Sequence, residues 1–213
     1  MSIDGKTLYP AVEGALRNES DPRRRFINEF DVRTKQYTGR RWQYHVDAGF
    51  PNALIGDLTA LDEHRFVLIE RDDFQGAESQ QKKIYLIDLK QLGLTDVSDM
   101  DSLPASADDL GSIVKVEKRL FVDLLSQDYK IDATQTIKDV IAEKIEALAW
   151  GPNLPDGRHL LYVVSDNDLF PELPTQIYAF AIDGTAAGIT YQAQQLPGPL
   201  FPPGQVKKAL QEK

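Results

Sequence analysis

Two stretches of this chain say nearly the same thing, and that repetition constrains its fold more than any single motif. Residues 55–73 read IGDLTALDEHRFVLIERDD, and residues 145–168 read IEALAWGPNLPDGRHLLYVVSDND. Each sets an acid inside an apolar run (Asp57, Glu146), passes a polar turn, climbs a β-branched segment and stops on charge. Apolar residues recur here with period two, the spacing of a strand with one face against a core.

The same period marks strands at 58–61, 66–70, 83–89 and 113–123, and again at 145–150, 159–165, 176–182 and 189–193. The order within the two groups agrees, and the third strands, KKIYLIDL and TQIYAFAI, align Ile84-Tyr85 with Ile177-Tyr178. The N-terminal part joins the series late: DGKTLYPAVEGAL reads as a second strand, RRRFINEFDV as a third and GRRWQYHVD as a fourth. Asp4-Gly5 and Asp156-Gly157 supply hairpin turn signals at corresponding places. Four antiparallel strands recurring every few tens of residues are the signature of a β-propeller blade. A meandering β-sandwich alternates too, but it does not require the shared strand order. The expected fold is therefore an all-β propeller of about two and three-quarter blades, partial or open, because rings close with roughly four to eight. It spans 1–195, followed by a Pro/Gly-rich tail over 196–213.

Two segments interrupt the pattern. The acidic, Ser-rich stretch 94–112 reads as a mobile excursion between strands. Ile137, Val140 and Ile141 have helical spacing, with Thr136 as the N-cap.

Composition removes several function classes. A net charge of −9 argues against nucleic-acid or anionic-membrane partners. The basic run Arg23-Arg24-Arg25 reads as a solvated strand entrance. With no cysteine there is no disulfide scaffold, zinc-thiolate site or thiol nucleophile. No apolar run approaches the roughly 18 residues of a membrane span, and MSIDGKTLYP carries no signal-peptide pattern. As written the chain is expected in the cytoplasm, or in the periplasm or outside the cell if its true N-terminus lies upstream.

DGKTLY, IGDLTALDEHRFVLIERD, KKIYLIDL, KIEALAWGP, LPDGR, LYVVSDNDLF and PTQIYAF, in that order, resemble the phytase-like family, whose name is esterase-like activity of phytase. The resemblance implies a propeller, a loose kinship with calcium-dependent β-propeller phytases, and a usual home in the bacterial envelope or outside the cell. The N-terminal part of the family's domain is missing from the match.

The residues point to acids as the chemistry. No G-x-S-x-G is present, and His45, His64 and His159 have no metal-ligand spacing. His64 and His159 fall in equivalent turns and are expected to face solvent. Asp57 and Glu146 would line a propeller channel; Glu13, Glu70, Arg71, Asp72, Asp73, Asp166, Asn167 and Asp168 would crowd one rim. Converging carboxylates repel unless protonated or bridged by a cation. Calcium takes six to eight oxygen ligands and could activate water on a phosphate ester. The expected metal ligands are thus Asp57, Glu146, Asp166 and Asn167, with Glu70 and Arg71 as catalytic residues and Arg71 the phosphate anchor. Asp72, Asp73 and Asp168 also suit plain turn capping. The expected activity is calcium-assisted hydrolysis of a phosphate or carboxylic ester. The rivals are a non-catalytic propeller that binds a ligand or protein, and a fragment without activity. A homodimer or missing N-terminal blades would complete the ring.

Overall fold

The computed structural model describes residues 1–100 and 102–193; the tail expected over 196–213 lies outside them. The described chain is all-β, built from three antiparallel sheets, none of them closed. The first holds β1 (Thr7–Leu8), β2 (Arg24–Asp31) and β3 (Gln36–His45), in the order β1-β2-β3. The second holds β4 (Leu54–Ala60), β5 (Arg65–Arg71), β6 (Lys82–Asp88) and β7 (Lys118–Asp123), paired in chain order. The third holds β8 (Lys144–Asn153), β9 (His159–Asp166) and β10 (Ile177–Ile182). One-turn helices α1 (Ile137–Val140) and α2 (Gly184–Ala187) sit between or after them.

The sheets stack face to face, with the second in the middle. Period-two alternation along β5 sends Phe66 and Leu68 toward Ile27, Trp42 and Tyr44 of the first sheet. Val67 and Ile69 go the other way, onto Ile145, Leu148, Leu161 and Val163 of the third. A middle layer buried on both faces explains why β5 reads as an unbroken apolar run instead of alternating with polar residues. The contact between β4 and β8 is close enough that a Cβ on Gly56 would lie 2.3 Å from the Ile145 carbonyl oxygen, so only glycine fits there.

Several sequence expectations change on the structure. Residues 189–193 form no fourth strand. Asp183 caps α2 by accepting from the Thr185 and Ala186 N–H groups, and Gly188 ends it in the left-handed region. Ile189 then turns into the core, and the Gln192 N–H donates to the Leu61 carbonyl across the stack. β10 is consequently an edge. Only the second half of 113–123 is strand. The described residues of the acidic stretch 94–112 form no regular element, yet they are fastened to the first sheet. Val97 N–H donates to Arg41 O, Ala107 N–H to Asp21 and Ser20 Oγ to Ala105 O, while Asp108 pairs with Arg23.

The basic run is not a solvated entrance. Arg24 and Arg25 are 2 % and 1 % exposed. Arg24 pairs with Glu19 and donates to Pro104 O. Arg25 turns inward, where its N–H groups meet four carbonyl oxygens, those of Glu13, Pro22, Arg24 and Ala53. Hydrogen bonds from four of the fork's five N–H groups make its burial tolerable.

Candidate functional site

The charged ends of β5, β8 and β9 lie at one rim of the stack. Glu70 and Arg71 end β5, and consecutive strand residues point to opposite faces, so the two side chains diverge. Glu70 follows Phe66 and Leu68 into the first interface, where it is fully buried. It accepts from the Tyr44 hydroxyl and the Lys118 ammonium, from the Asp47 N–H at 3.0 Å and from Gln81 Nε2 at 3.1 Å. Burial first, then the Glu70 charge, raises the Tyr44 hydroxyl well above the ordinary tyrosine value. Burial pulls Lys118 down, with Glu70 opposing. Asp47 extends the cluster by accepting from Tyr85 and Lys83.

Arg71 follows Val67 and Ile69 into the second interface and is 1 % exposed. Its Nη2 donates to Glu146 at 2.6 Å and to Glu13 at 3.2 Å, and its Nη1 to Asp73. These acids do converge, but on a guanidinium that belongs to the protein. Lys82, also fully buried, gives its three ammonium protons to Asp72 Oδ1, Asp72 O and Glu143 O at 2.6–2.7 Å. Burial alone would raise Asp72; hydrogen bonds from Lys82, Gln80 and Gln81 outweigh it and hold the carboxyl below its usual value.

Asp57 and Glu146 each sit where the register of the strand slips, between Ile55 and Leu58 in β4 and between Ile145 and Ala147 in β8. They are equivalent, as the repeat implies, yet their carboxylates part. Asp57 accepts from its neighbour Leu58 N–H and from Leu148 N–H of β8, both at 2.7 Å, and so ties the two strands together. Asp166 accepts from Asp168 N–H, and Asn167 closes the β9–β10 loop through Leu169 N–H, Phe170 O and Leu173 O. These are turn contacts, as is the role of Asp72 in holding Phe74, Gln80 and Gln81 N–H groups. Asp168 pairs with Lys144 at 2.7 Å and raises its pKa.

As a set the four expected metal ligands do not fit calcium, because three of them are already engaged. Asp57 spends both oxygens on main-chain N–H groups, Glu146 is held by Arg71, and Asn167 is spent on its own loop. Among the described residues no group of three or more His, Asp or Glu side chains could hold a metal ion.

A cleft of about 320 Å³ opens at this rim between the β5–β6 connection, α1 and the β9–β10 loop. Asp139, Glu143, Lys144, Asp166, Asn167 and Asp168 line it with the apolar Val140, Ile141 and Leu173. Asp139 is engaged in a capping box with Thr136, whose N–H and hydroxyl lower its pKa. Glu143 has no side-chain partner among the described residues, and Asp166 keeps one oxygen unbonded. The sequence reading passed over Glu143 and Lys144 because they precede the β8 apolar pattern. The signal available was their position, immediately before Ile145-Glu146 in the repeat.

The histidines stay outside this rim chemistry. His64 meets Asp88 and His159 meets Asn153 in their turns. His45 is buried against Gln43, and burial, then Lys115 and Arg24, lowers it to about 4.

A family model described as phytase-like, esterase-like activity of phytase, matches residues 1–169. No curated protein and no solved structure matches the chain. The family match covers all three sheets through β9, including the repeated strand-end acids, and the chain belongs to the phytase-like family.

Proposed function

We propose that the three sheets are successive blades of a β-propeller, and that the chain is a hydrolase-type module that takes an ester into the rim cleft. The blade reading is supported by face-to-face stacking, by the β4–β8 contact and by the matched irregularities at Asp57 and Glu146. The hydrolase reading rests on the family, at the level of the family. Within it, Lys144 is the cation facing the ester's anionic group, and Glu143 and Asp166 are the carboxylates that take or give a proton. The carrying observation is that this cleft gathers a lysine and two carboxylates with unbonded oxygens around one space. In this reading Glu70 and Arg71 hold opposite faces of the second sheet and do not meet the substrate.

The test is turnover of p-nitrophenyl phosphate, phytate and p-nitrophenyl acetate by the purified chain, beside its E143Q and D166N variants. Loss of about 100-fold in kcat/KM for one ester class in either variant is the expected result. A wild type no faster than buffer, with folded protein, would instead favour a non-catalytic binding module. One observation already leans that way: Asp57, Glu70 and Arg71, the most conspicuous charged groups of the repeat, are all consumed in holding sheets together.

A further inference from the structure

Among the described residues the third sheet is covered on one face only. Ile145, Leu148, Leu161, Val163 and Phe180 pack inward, and alternation turns the intervening residues out. Register sets them in rows: Ala147, Val164 and Ile177, then Ala149, Tyr162 and Ala179, then Leu160 beside Ala181. Gly151 completes the last row, where an added Cβ would meet Tyr162 and Leu160. No charged side chain stands in these rows. The four alanines are exposed, and Ile177 is 66 % exposed. By strand spacing and rise the face measures about 14 by 20 Å, which is the size of a functional apolar patch. It continues toward Leu169, 92 % exposed, and Phe170 on the β9–β10 loop, where Asp168 and Leu169 adopt the left-handed backbone region at φ 52° and 62°.

We propose that this face is where a second copy of the chain docks, sheet on sheet, about a two-fold axis. Three features choose that occupant. First, the face is the outward continuation of an interface series already present twice, because the same sheet buries its other side in just this way. Second, its relief is self-complementary. β9 contributes a ridge of Leu160, Tyr162 and Val164, flanked by Ala147, Ala149 and Gly151 on one side and by Ala179 and Ala181 on the other. Offset by one strand, the ridge of each copy seats in an alanine groove of its partner, and a two-fold axis makes both contacts at once. Third, the opposite end of the stack is closed. Phe26, Gln43 and His45 of the first sheet's outer side are buried, and Arg24 there holds Pro104 of the 94–112 stretch. Head-to-tail stacking therefore has no receiving face, and pairing stops at two. The patch falls short of the roughly 800 Å² per partner of a standard interface, so the dimer dissociates on dilution.

The experiment is sedimentation of the full chain over a concentration series, beside A149E, A179E and the control L92E, whose residue is 99 % exposed on the β6–β7 connection. Wild type and L92E are expected to dimerise reversibly, and each alanine variant to weaken the dimer by about tenfold or more, since a charge replaces apolar contact. Because the chain has no cysteine, A149C offers one alkylation site whose reaction slows as protein concentration rises. Monomer at every concentration overturns the proposal and leaves the face to another protein. A dimer that A149E and A179E do not weaken, or an A149C thiol that reacts equally fast throughout, overturns it in favour of pairing along the β10 edge.

Discussion

Replacing Glu70 with glutamine changes almost no volume and asks a direct question about its role. The carboxylate is fully buried and receives four donors, among them an ammonium whose side chain is only 20 % exposed. The amide removes the charge that compensates Lys118 and turns an NH2 group toward groups that are themselves donors. Uncompensating a buried pair costs about 3–5 kcal/mol, because the surviving charge stays in low dielectric. At about 2–4 °C per kcal/mol for a domain of this size, Tm should fall by about 6–20 °C. K118M should cost a similar amount. The double variant E70Q/K118M should lose about 2–3 kcal/mol less than the sum, since the two groups share one interaction. E146Q is the internal comparison. Its side chain is 28 % exposed, and Arg71 keeps Asp73 and Glu13, so about 1 kcal/mol or less is expected. Urea melts of the four variants supply the free energies, and ester turnover at a temperature where all are folded supplies the rest. If E70Q were within about 1 kcal/mol of wild type while abolishing turnover, the strut reading would be refuted and Glu70 would return as a catalytic carboxylate.

The remaining expectations are narrower. G56A places a methyl against the Ile145 carbonyl and should destabilise by about 3 kcal/mol or prevent folding, whereas G14A, with its nearest side-chain atom 3.6 Å away, should be close to neutral; thermal melts decide. His45 is neutral when folded because its pKa is depressed, so only the unfolded chain takes up the proton as pH falls below its ordinary value near 6.5. Stability should decline by up to about 3 kcal/mol between about pH 6.5 and 4, and H45Q should flatten that decline in a pH series of urea melts. Millimolar calcium should shift Tm by less than about 1 °C, given the spent oxygens of Asp57, Glu146 and Asn167. A saturable rise that D57A or E146A removes would show that the cluster opens to the ion.

What could be read in the sequence was whatever depends on period two. The matched Ile84-Tyr85 and Ile177-Tyr178 pairs gave the third strands, and both fall in adjacent sheets at the same place in the order. Thr136 with Ile137 gave the capped turn, which the structure keeps as a capping box with Asp139. The expected strand at 189–193 failed for a local reason. Asp183, Gly184 and Gly188 encode a helix start and stop, and that short turn redirects the chain before ITYQA can join β10. The basic run misled because burial of arginine depends on what surrounds it. Nothing in RRR says that the carbonyl oxygens of Glu13 and Ala53 will join those of Pro22 and Arg24 around Arg25.

The acids were legible as a set and illegible as a site, for a physical reason visible in Glu70-Arg71. A dipeptide at a strand end looks like one cluster in sequence, but strand geometry sends its halves to opposite faces. Each half then needs its own compensation, Glu70 from Tyr44 of the first sheet and Lys118 of its own sheet, Arg71 from Glu146 of the third sheet and from Glu13. The charge at the end of β5 is therefore accounted for by the two interfaces of the second sheet, since a strand buried on both faces must end without stranding a polar group. Where a sheet has only one covered face the requirement lapses. The third sheet shows it: Ser165 on the covered side of β9 is buried, while Asp166 beside it is exposed and bonds only within its turn. Glu143 and Asp166, carboxylates with unbonded oxygens, line the rim cleft beside the third sheet, whereas Glu70 has both oxygens engaged, which is why that cleft, and not the Glu70 cluster, is where substrate chemistry is to be sought.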